Sequence, residues 1–161
     1  MRKLIVVMGP SGAGKSRIGA ALAKELDVKF FEGDAFQPEP NIAKMKAGTP
    51  LDDDDRLAWT KEILAAVDAE VEQVVVLACS ALTPFVQEQL RSGSRMPIFL
   101  LLDVPRSVLA ERITLRTDHF MPASLLDSQL DALQPPHDAK VIDAGQTVES
   151  VVAEAMLALG H

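Results

Sequence analysis

The chain has 161 residues, 48% of them hydrophobic and 24% charged, with a mean hydropathy of +0.14; this is enough for one compact domain and too apolar for a disordered tail. Sixteen Lys and Arg against 23 Asp and Glu leave a net charge of −7, which argues against a nucleic-acid binder that gains its affinity by neutralising phosphates. The single cysteine, Cys79, permits no internal disulfide and no metal-ligand spacing, as expected of a protein of the reducing cytoplasm.

The first apolar run, Leu4 to Met8, has the length of a strand and is too short for a signal segment or a membrane span. Gly9-Pro10-Ser11-Gly12-Ala13-Gly14-Lys15-Ser16 follows it directly and fits the phosphate-loop pattern of Gly, four residues, Gly, Lys and Ser or Thr. Glycines let backbone N–H groups turn toward an anion, and the first turn of the next helix adds further N–H groups and a positive dipole end. Gly9, Ser11, Gly12, Ala13, Gly14, Lys15, Ser16 and Arg17 are therefore the expected nucleotide-binding residues. Lys15 would reach the terminal phosphates and Ser16 would hold Mg²⁺. A helix over Ser16 to Leu26 is expected to bury Ile18, Ala21, Leu22 and Leu26.

Further strand-length runs occur at Val28–Phe31, Val74–Cys79, Pro97–Leu102 and Lys140–Ile142, with helical periodicity between them. They are continuous rather than alternating, as in a parallel sheet covered on both faces. The four aspartates Asp52 to Asp55 read as the solvated start of a helix to Glu70, with Leu57, Ile63, Leu64 and Val67 as its core face. Trp59 is expected to pack in that helix and Cys79 to be inert core. Asp103 either starts the helix that runs through Pro105 to Leu115 or serves as a metal-holding acid, the first being favoured. A last helix opens at Thr147 and ends before Gly160. No linker or repeat divides the chain, so residues 1–161 are expected to form a single domain.

A nucleotide site alone does not separate kinases from other nucleotide enzymes. The guanine-reading motif Asn-Lys-x-Asp is absent from the sequence, and the chain has no room for a motor's extra domains, which favours a small-molecule kinase. The second strand ends in Glu32-Gly33-Asp34, where an acid can face a phosphoryl group and an acceptor hydroxyl, and Asp34 is the candidate base and a second Mg²⁺ ligand. Pro38, Asn41-Ile42, Lys44-Met45, Gly48-Thr49-Pro50-Leu51, Asp53-Asp54-Asp55-Arg56 and Trp59 follow in order, then Cys79-Ser80-Ala81-Leu82, Arg112, Arg116, His119-Phe120-Met121-Pro122, Leu125-Leu126 and Ser128-Gln129.

This ordered series resembles the gluconate kinase family of P-loop sugar-acid kinases over nearly the whole chain. The resemblance implies a three-layer α/β fold of the nucleoside-monophosphate-kinase type with strand order 2-3-1-4-5, a substrate flap at about residues 35–60, and a lid at about 112–124. It implies conversion of D-gluconate and ATP to 6-phosphogluconate, and a homodimer. The expected catalytic set is Lys15, Asp34, Arg112 and Arg116, with Asp34, Lys44, Arg56, Ser80 and His119 around the acceptor. Arg56 would bind the acceptor carboxylate with its planar fork, oriented by Asp55. For several of these residues a structural reading stays open: surface pairing of Arg112 and Arg116 with Glu111 or Asp118, packing of His119, and a role for Asn41, Lys44 and Met45 in holding the flap together.

The chain departs from the family pattern at Gln37, where His is usual, at Thr83, Phe85 and Val86, where Lys, Tyr and Arg are usual, and at Gln134, where an acid is usual. The alternatives are thus a kinase for another small hydroxylated acid, or a nucleotide-binding module without turnover. Charge is unevenly divided as well: residues 1–29 carry six Lys and Arg against two Asp and Glu, a net of +4, leaving −11 beyond. A basic phosphate loop thus sits in an acidic chain.

Overall fold

The strands β1 (Lys3–Met8), β2 (Lys29–Glu32), β3 (Val74–Ala78), β4 (Met96–Asp103) and β5 (Lys140–Asp143) form one parallel sheet in the order β2-β3-β1-β4-β5. The computed structural model describes residues 1–115 and 125–161. Its helices are α1 (Lys15–Leu26), α2 (Glu39–Lys46), α3 (Asp53–Asp68), α4 (Pro84–Arg91), α5 (Arg106–Leu115), α6 (Leu125–Ala132) and α7 (Val148–Ala158). The connection leaving β1 leads to β2 on one side, and that leaving β3 leads to β4 on the other. The carboxyl ends of these two neighbouring strands therefore open a crevice, the usual ligand position in such sheets.

The continuous apolar run of β1 has a direct cause. Ile5 and Val7 join Ile18 and Leu22 of α1, Leu109 of α5 and Val151 of α7, while Leu4, Val6 and Met8 join Ile63 and Val67 of α3 and Leu90 of α4. Both faces of the strand are buried, so neither set of alternate side chains can be polar.

Two helices turn their core faces away from the expected ones. In α1 the buried residues are Ile18, Gly19, Leu22 and Ala23; Gly19 is packed so closely that a Cβ there would lie 2.7 Å from Cε1 of Phe30. In α3 they are Trp59, Thr60, Ile63 and Val67, with Leu57 and Leu64 only half-buried. Trp59 takes the deep position because its indole Nε1 donates to the carbonyl of Gly33 at 2.8 Å, which satisfies its one polar atom.

The acidic start of α3 is a capping box: Asp52 accepts from the backbone N–H of Asp55, and Asp55 accepts from that of Asp52. The far end stops at Asp68, short of the expected Glu70. There the buried Arg95 donates to the carbonyls of Val67 at 2.9 Å and Glu70 at 2.8 Å, and to those of Lys3 and Gln73 at 3.3 Å. Arg2 adds bonds to Asp68 and Glu70. Two guanidinium groups thus take over the last carbonyls of the helix and hold it to the amino-terminal edge of the sheet. Burial, with Arg2 alongside, pulls the Arg95 pKa down.

No helix among the described residues is long and apolar enough to cross a membrane. Arg95→Met should remove the guanidinium shared by four carbonyls and lower stability by about 3 kcal/mol. A thermal unfolding scan should show this as a fall of about 6–12 °C in Tm.

Candidate active site

The phosphate loop leaves β1 at Gly9, whose N–H donates to the carbonyl of Ser80 at 3.3 Å and so ties the loop to the end of β3. Gly9, Gly12 and Gly14 have φ of 149°, 88° and 95°, a region that side chains resist. A Cβ at Gly12 would also lie 3.1 Å from the carbonyl of Leu109, so α5 packs directly on the loop. Gly14 serves as N-cap of α1 without a side-chain cap, which leaves the first turn open to an anion. The Lys15 ammonium curls back to the carbonyl of Pro10 at 3.1 Å.

A cavity of about 470 Å³ opens in front of this loop. Its lining comes from the loop and the start of α1 (Ser11, Gly12, Gly14, Lys15 and Ser16), from the end of β2 through α3 (Glu32, Asp34, Gln37, Met45, Pro50, Leu51, Arg56 and Trp59), and from the chain after β3 and α6 (Ser80, Leu82, Thr83, Val86, Ser128, Gln129 and Ala132). The expected residues Ser11, Gly12, Gly14, Lys15, Ser16, Asp34, Arg56 and Ser80 are thereby brought together. Gly9 and Ala13 stand behind the loop, shaping it. Arg17 is exposed and Lys44 and Arg112 lie outside the lining. Arg116 and His119 fall outside the described residues.

Asp34 sits on a short 3₁₀ turn, Gly33–Phe36, directly after β2. Three contacts hold that turn. Gly33 lies so near the carbonyl of Ala78 that a Cβ would clash with it, its own carbonyl accepts from Trp59, and the Glu32 carboxylate accepts from the N–H of Asp34 at 3.4 Å. The sequence reading overlooked Glu32, although its place at a strand end beside Gly33-Asp34 was a usable signal.

The flap residues are linked by their polar groups. Asn41 donates to the side-chain oxygen of Gln37 and to the carbonyl of Asp55, each at 2.9 Å. Lys44 meets the Asp55 carboxylate at 2.6 Å; this hydrogen bond holds the Lys44 pKa above its ordinary value and the Asp55 pKa below its own. Asp55 therefore orients Lys44 and caps α3. Arg56 instead pairs with Asp53, one helical turn back, at 3.0 Å, correcting the expectation that Asp55 orients it. The exposed Asp53 leaves the guanidinium its remaining donors, and Arg56 lines the cavity.

The cavity-lining positions that depart from the family pattern, Gln37, Thr83 and Val86, are neutral. Gln37 is buried, Thr83 caps α4 by accepting from the N–H of Val86 at 3.4 Å, and Val86 is packed into the core. Among the described lining residues the cations are Lys15 and Arg56. Gln87 donates to the carbonyls of Ala81 and Gln134 at 2.9 and 2.8 Å, and the N–H of Gln134 bonds to Leu82, so Gln134 contributes its backbone here.

Among the described residues Arg112 pairs with no surface acid, Glu111 included; it donates to the carbonyls of Gly12 at 3.0 Å and Ala144 at 3.4 Å. Asp103 ends β4 with an exposed side chain outside the cavity, which removes it from the candidate metal ligands. Cys79 is fully buried, and burial pushes its thiol up to about 12.

A phosphate loop, a strand-end carboxylate and a guanidinium around one small cavity on a 2-3-1-4-5 sheet define a P-loop small-molecule kinase. The sequence profile of the shikimate kinase family matches residues 11–158. A gluconokinase of Gluconobacter oxydans is 42% identical, over 96% of this chain and 89% of its own. Among solved structures, a gluconokinase from Sinorhizobium meliloti superposes with a TM-score of 0.86 at 42% identity, over 99% of this chain and 93% of that one. A sugar kinase from a Janibacter species superposes with 0.90 at 38% identity, over 99% and 95%. The chain belongs to the gluconokinase family, and it is a phosphotransferase acting on an alcohol group.

The buried, protonated thiol should resist modification. A disulfide reagent added to the native protein at neutral pH should release no thiolate signal over minutes, whereas the same protein in denaturant should release one equivalent. Rapid native labelling would contradict the burial of Cys79.

Proposed function

We propose that the protein transfers the γ-phosphoryl group of ATP to a hydroxyl of D-gluconate, giving ADP and 6-phospho-D-gluconate. The observation that carries this reading is that Lys15, Ser16, Asp34 and Arg56 line a single cavity. Its end at the phosphate loop suits a triphosphate, and its end at Arg56 suits a carboxylate. The names of the relatives point to the same acceptor.

The roles follow from charge and reach. The loop N–H groups and Lys15 balance the phosphate charge that spreads over the equatorial oxygens during transfer. Asp34, fixed by its turn, orients the acceptor hydroxyl and receives its proton as the new O–P bond forms and the bond to the ADP oxygen breaks. Arg56 takes the carboxylate in a two-pronged hydrogen bond. Ser80 offers a further hydroxyl to the acceptor. Lys44 acts through Asp55 on the flap, taken as residues 35–60. Arg112 braces the loop, and Arg116 and His119 keep the roles that the resemblance implies for a lid at residues 112–124.

The residues present fit Mg²⁺. The exposed hydroxyl of Ser16 and the carboxylates of Asp34 and Glu32 are hard oxygen donors lining one cavity, and among the described residues no cluster of three ligands would hold a metal without nucleotide. That is the pattern for an ion carried in largely by phosphates and water. Bound there, Mg²⁺ would neutralise charge on the phosphate oxygens. Residues 1–161 are read as a single cytoplasmic domain, with a homodimer as the implied assembly.

The neutral wall at Gln37, Thr83 and Val86 favours a second reading, in which another hydroxylated monocarboxylate is the better acceptor. ADP release should be measured with D-gluconate, other aldonates, the polyol D-glucitol and the dicarboxylate D-glucarate. Gluconate should turn over, and glucitol, which lacks the group that Arg56 holds, should have kcat/KM lower by about ten- to a hundredfold. A second carboxylate would find no free cation among the described lining residues, so glucarate should be poor. Turnover of a different aldonate with none of gluconate would favour the second reading, and ATP binding without transfer to any acceptor would overturn both.

Asp34→Asn should lower kcat by at least about a hundredfold with ATP affinity little changed. Arg56→Ala should raise the KM for the acid about ten- to a hundredfold and leave the KM for ATP in place. Steady-state kinetics with each substrate varied in turn would check both.

A further inference from the structure

The peptide unit that joins Pro10 to Ser11 is gripped on both of its polar atoms. Its carbonyl accepts from the Lys15 ammonium at 3.1 Å and from the N–H of Ala13 at 3.2 Å. Its N–H, on the buried Ser11, donates to the side-chain oxygen of Gln129 at 2.7 Å. Gln129 lies on α6, more than a hundred residues away in sequence, and none of the roles above uses it.

The helix that delivers this oxygen is itself well held. Leu126 is buried in the core and Leu130 packs against the same cluster. Just beyond the helix, the N–H of Gln134 bonds to Leu82. Position 129 falls one turn from the buried Leu126, so the amide is carried on the same side of the helix as that anchor. Such an acceptor fixes the plane of the Pro10–Ser11 peptide rather than following it.

We propose that Gln129 is a positioning residue for phosphate binding: its amide oxygen, by holding the Ser11 N–H, sets the plane of the Pro10–Ser11 peptide, whose carbonyl in turn stations Lys15 for the triphosphate. A neutral amide suits this task. A carboxylate at the same place would satisfy the N–H but bring a negative charge to the mouth of an anion site. Arg112 completes the brace from α5 by holding the carbonyl of Gly12. The loop is thus held by α5 at the carbonyl of Gly12 and by α6 at the N–H of Ser11. The proposal rests on the phosphate loop taking a triphosphate and is independent of which acid accepts the phosphoryl group.

The test uses inorganic tripolyphosphate, which probes the cradle without base, sugar or acceptor, alongside ATP. Gln129→Met keeps the volume of the side chain but not its acceptor oxygen; Gln129→Ala removes both. Asp127→Ala, which removes only the exposed ion pair between α6 and Arg106, controls for loosening of the helix. By calorimetric titration, Gln129→Met and Gln129→Ala should each weaken tripolyphosphate and ATP about tenfold, and Asp127→Ala should stay within about twofold of the parent. The KM for ATP should rise in parallel while the KM for the acid stays within about twofold. Parent-like tripolyphosphate binding by Gln129→Met would overturn the proposal. So would equal weakening in Asp127→Ala, which would make the effect one of helix placement. Loss of gluconate turnover with the binding pattern intact would instead count against the acceptor assignment.

Discussion

A helix start that is to hold an anion has to be walled in by protein without having its N–H groups blocked. Most of the arrangement around the phosphate loop follows from that requirement. Neighbouring groups hold the loop at three backbone atoms: Arg112 at the carbonyl of Gly12, Gln129 at the N–H of Ser11, and the Ser80 carbonyl at the N–H of Gly9. Glycines at positive φ let the chain turn that tightly, and Gly12 lets α5 lie against it. Each contact stiffens the cradle, which matters because preorganised donors need no rearrangement when charge develops.

The acceptor side is built on a different device. Asp34 belongs to a short turn with little structure of its own, and it acquires a fixed position through the close approach of Gly33 to β3 and the indole of Trp59. Trp59 thus links the core of α3 to the placement of a reacting group. The polar links from Gln37 through Asn41 and Asp55 to Lys44 tie α2 to the start of α3, so the flap moves or holds as a unit. Arg56 escapes this set because its partner is the exposed Asp53. A screened surface pair holds the guanidinium loosely, which suits a group that must accept a carboxylate.

Charge explains how an acidic protein handles two anions. The net −7 is spread over the surface and largely screened beyond about 8–10 Å, whereas Lys15, Arg56 and the loop N–H groups act within a cavity of about 470 Å³. The neutral residues Gln37, Thr83 and Val86 leave that local positive potential narrow. Among the described lining residues, discrimination among acids then depends on Arg56 and on hydroxyl contacts, because they present no broad cationic wall to hold any anion.

Much of this was legible in the residues. The phosphate loop, the continuous strands, the aspartate cap of α3 and the buried cysteine are local patterns, in which a few consecutive side chains decide the backbone or its burial. Asp34 could be named because it sits at a strand end, and Arg56 because the ordered series around it resembles a known kinase family. Which acid orients which base was a different matter. Asp55 stands next to Arg56 in sequence yet serves Lys44, because adjacent residues on a helix point about 100° apart while three-residue neighbours share a side. The face of α1 shifted because Gly19 meets Phe30, and that of α3 because Trp59 found a carbonyl partner on another element. Glu32 and Gln129 acquire meaning only where β2, α6 and the loop converge. Local chemistry was therefore determined by the sequence alone, and the pairing of distant polar groups by the tertiary structure, since a hydrogen bond between them depends on how the packed elements bring them within 3 Å.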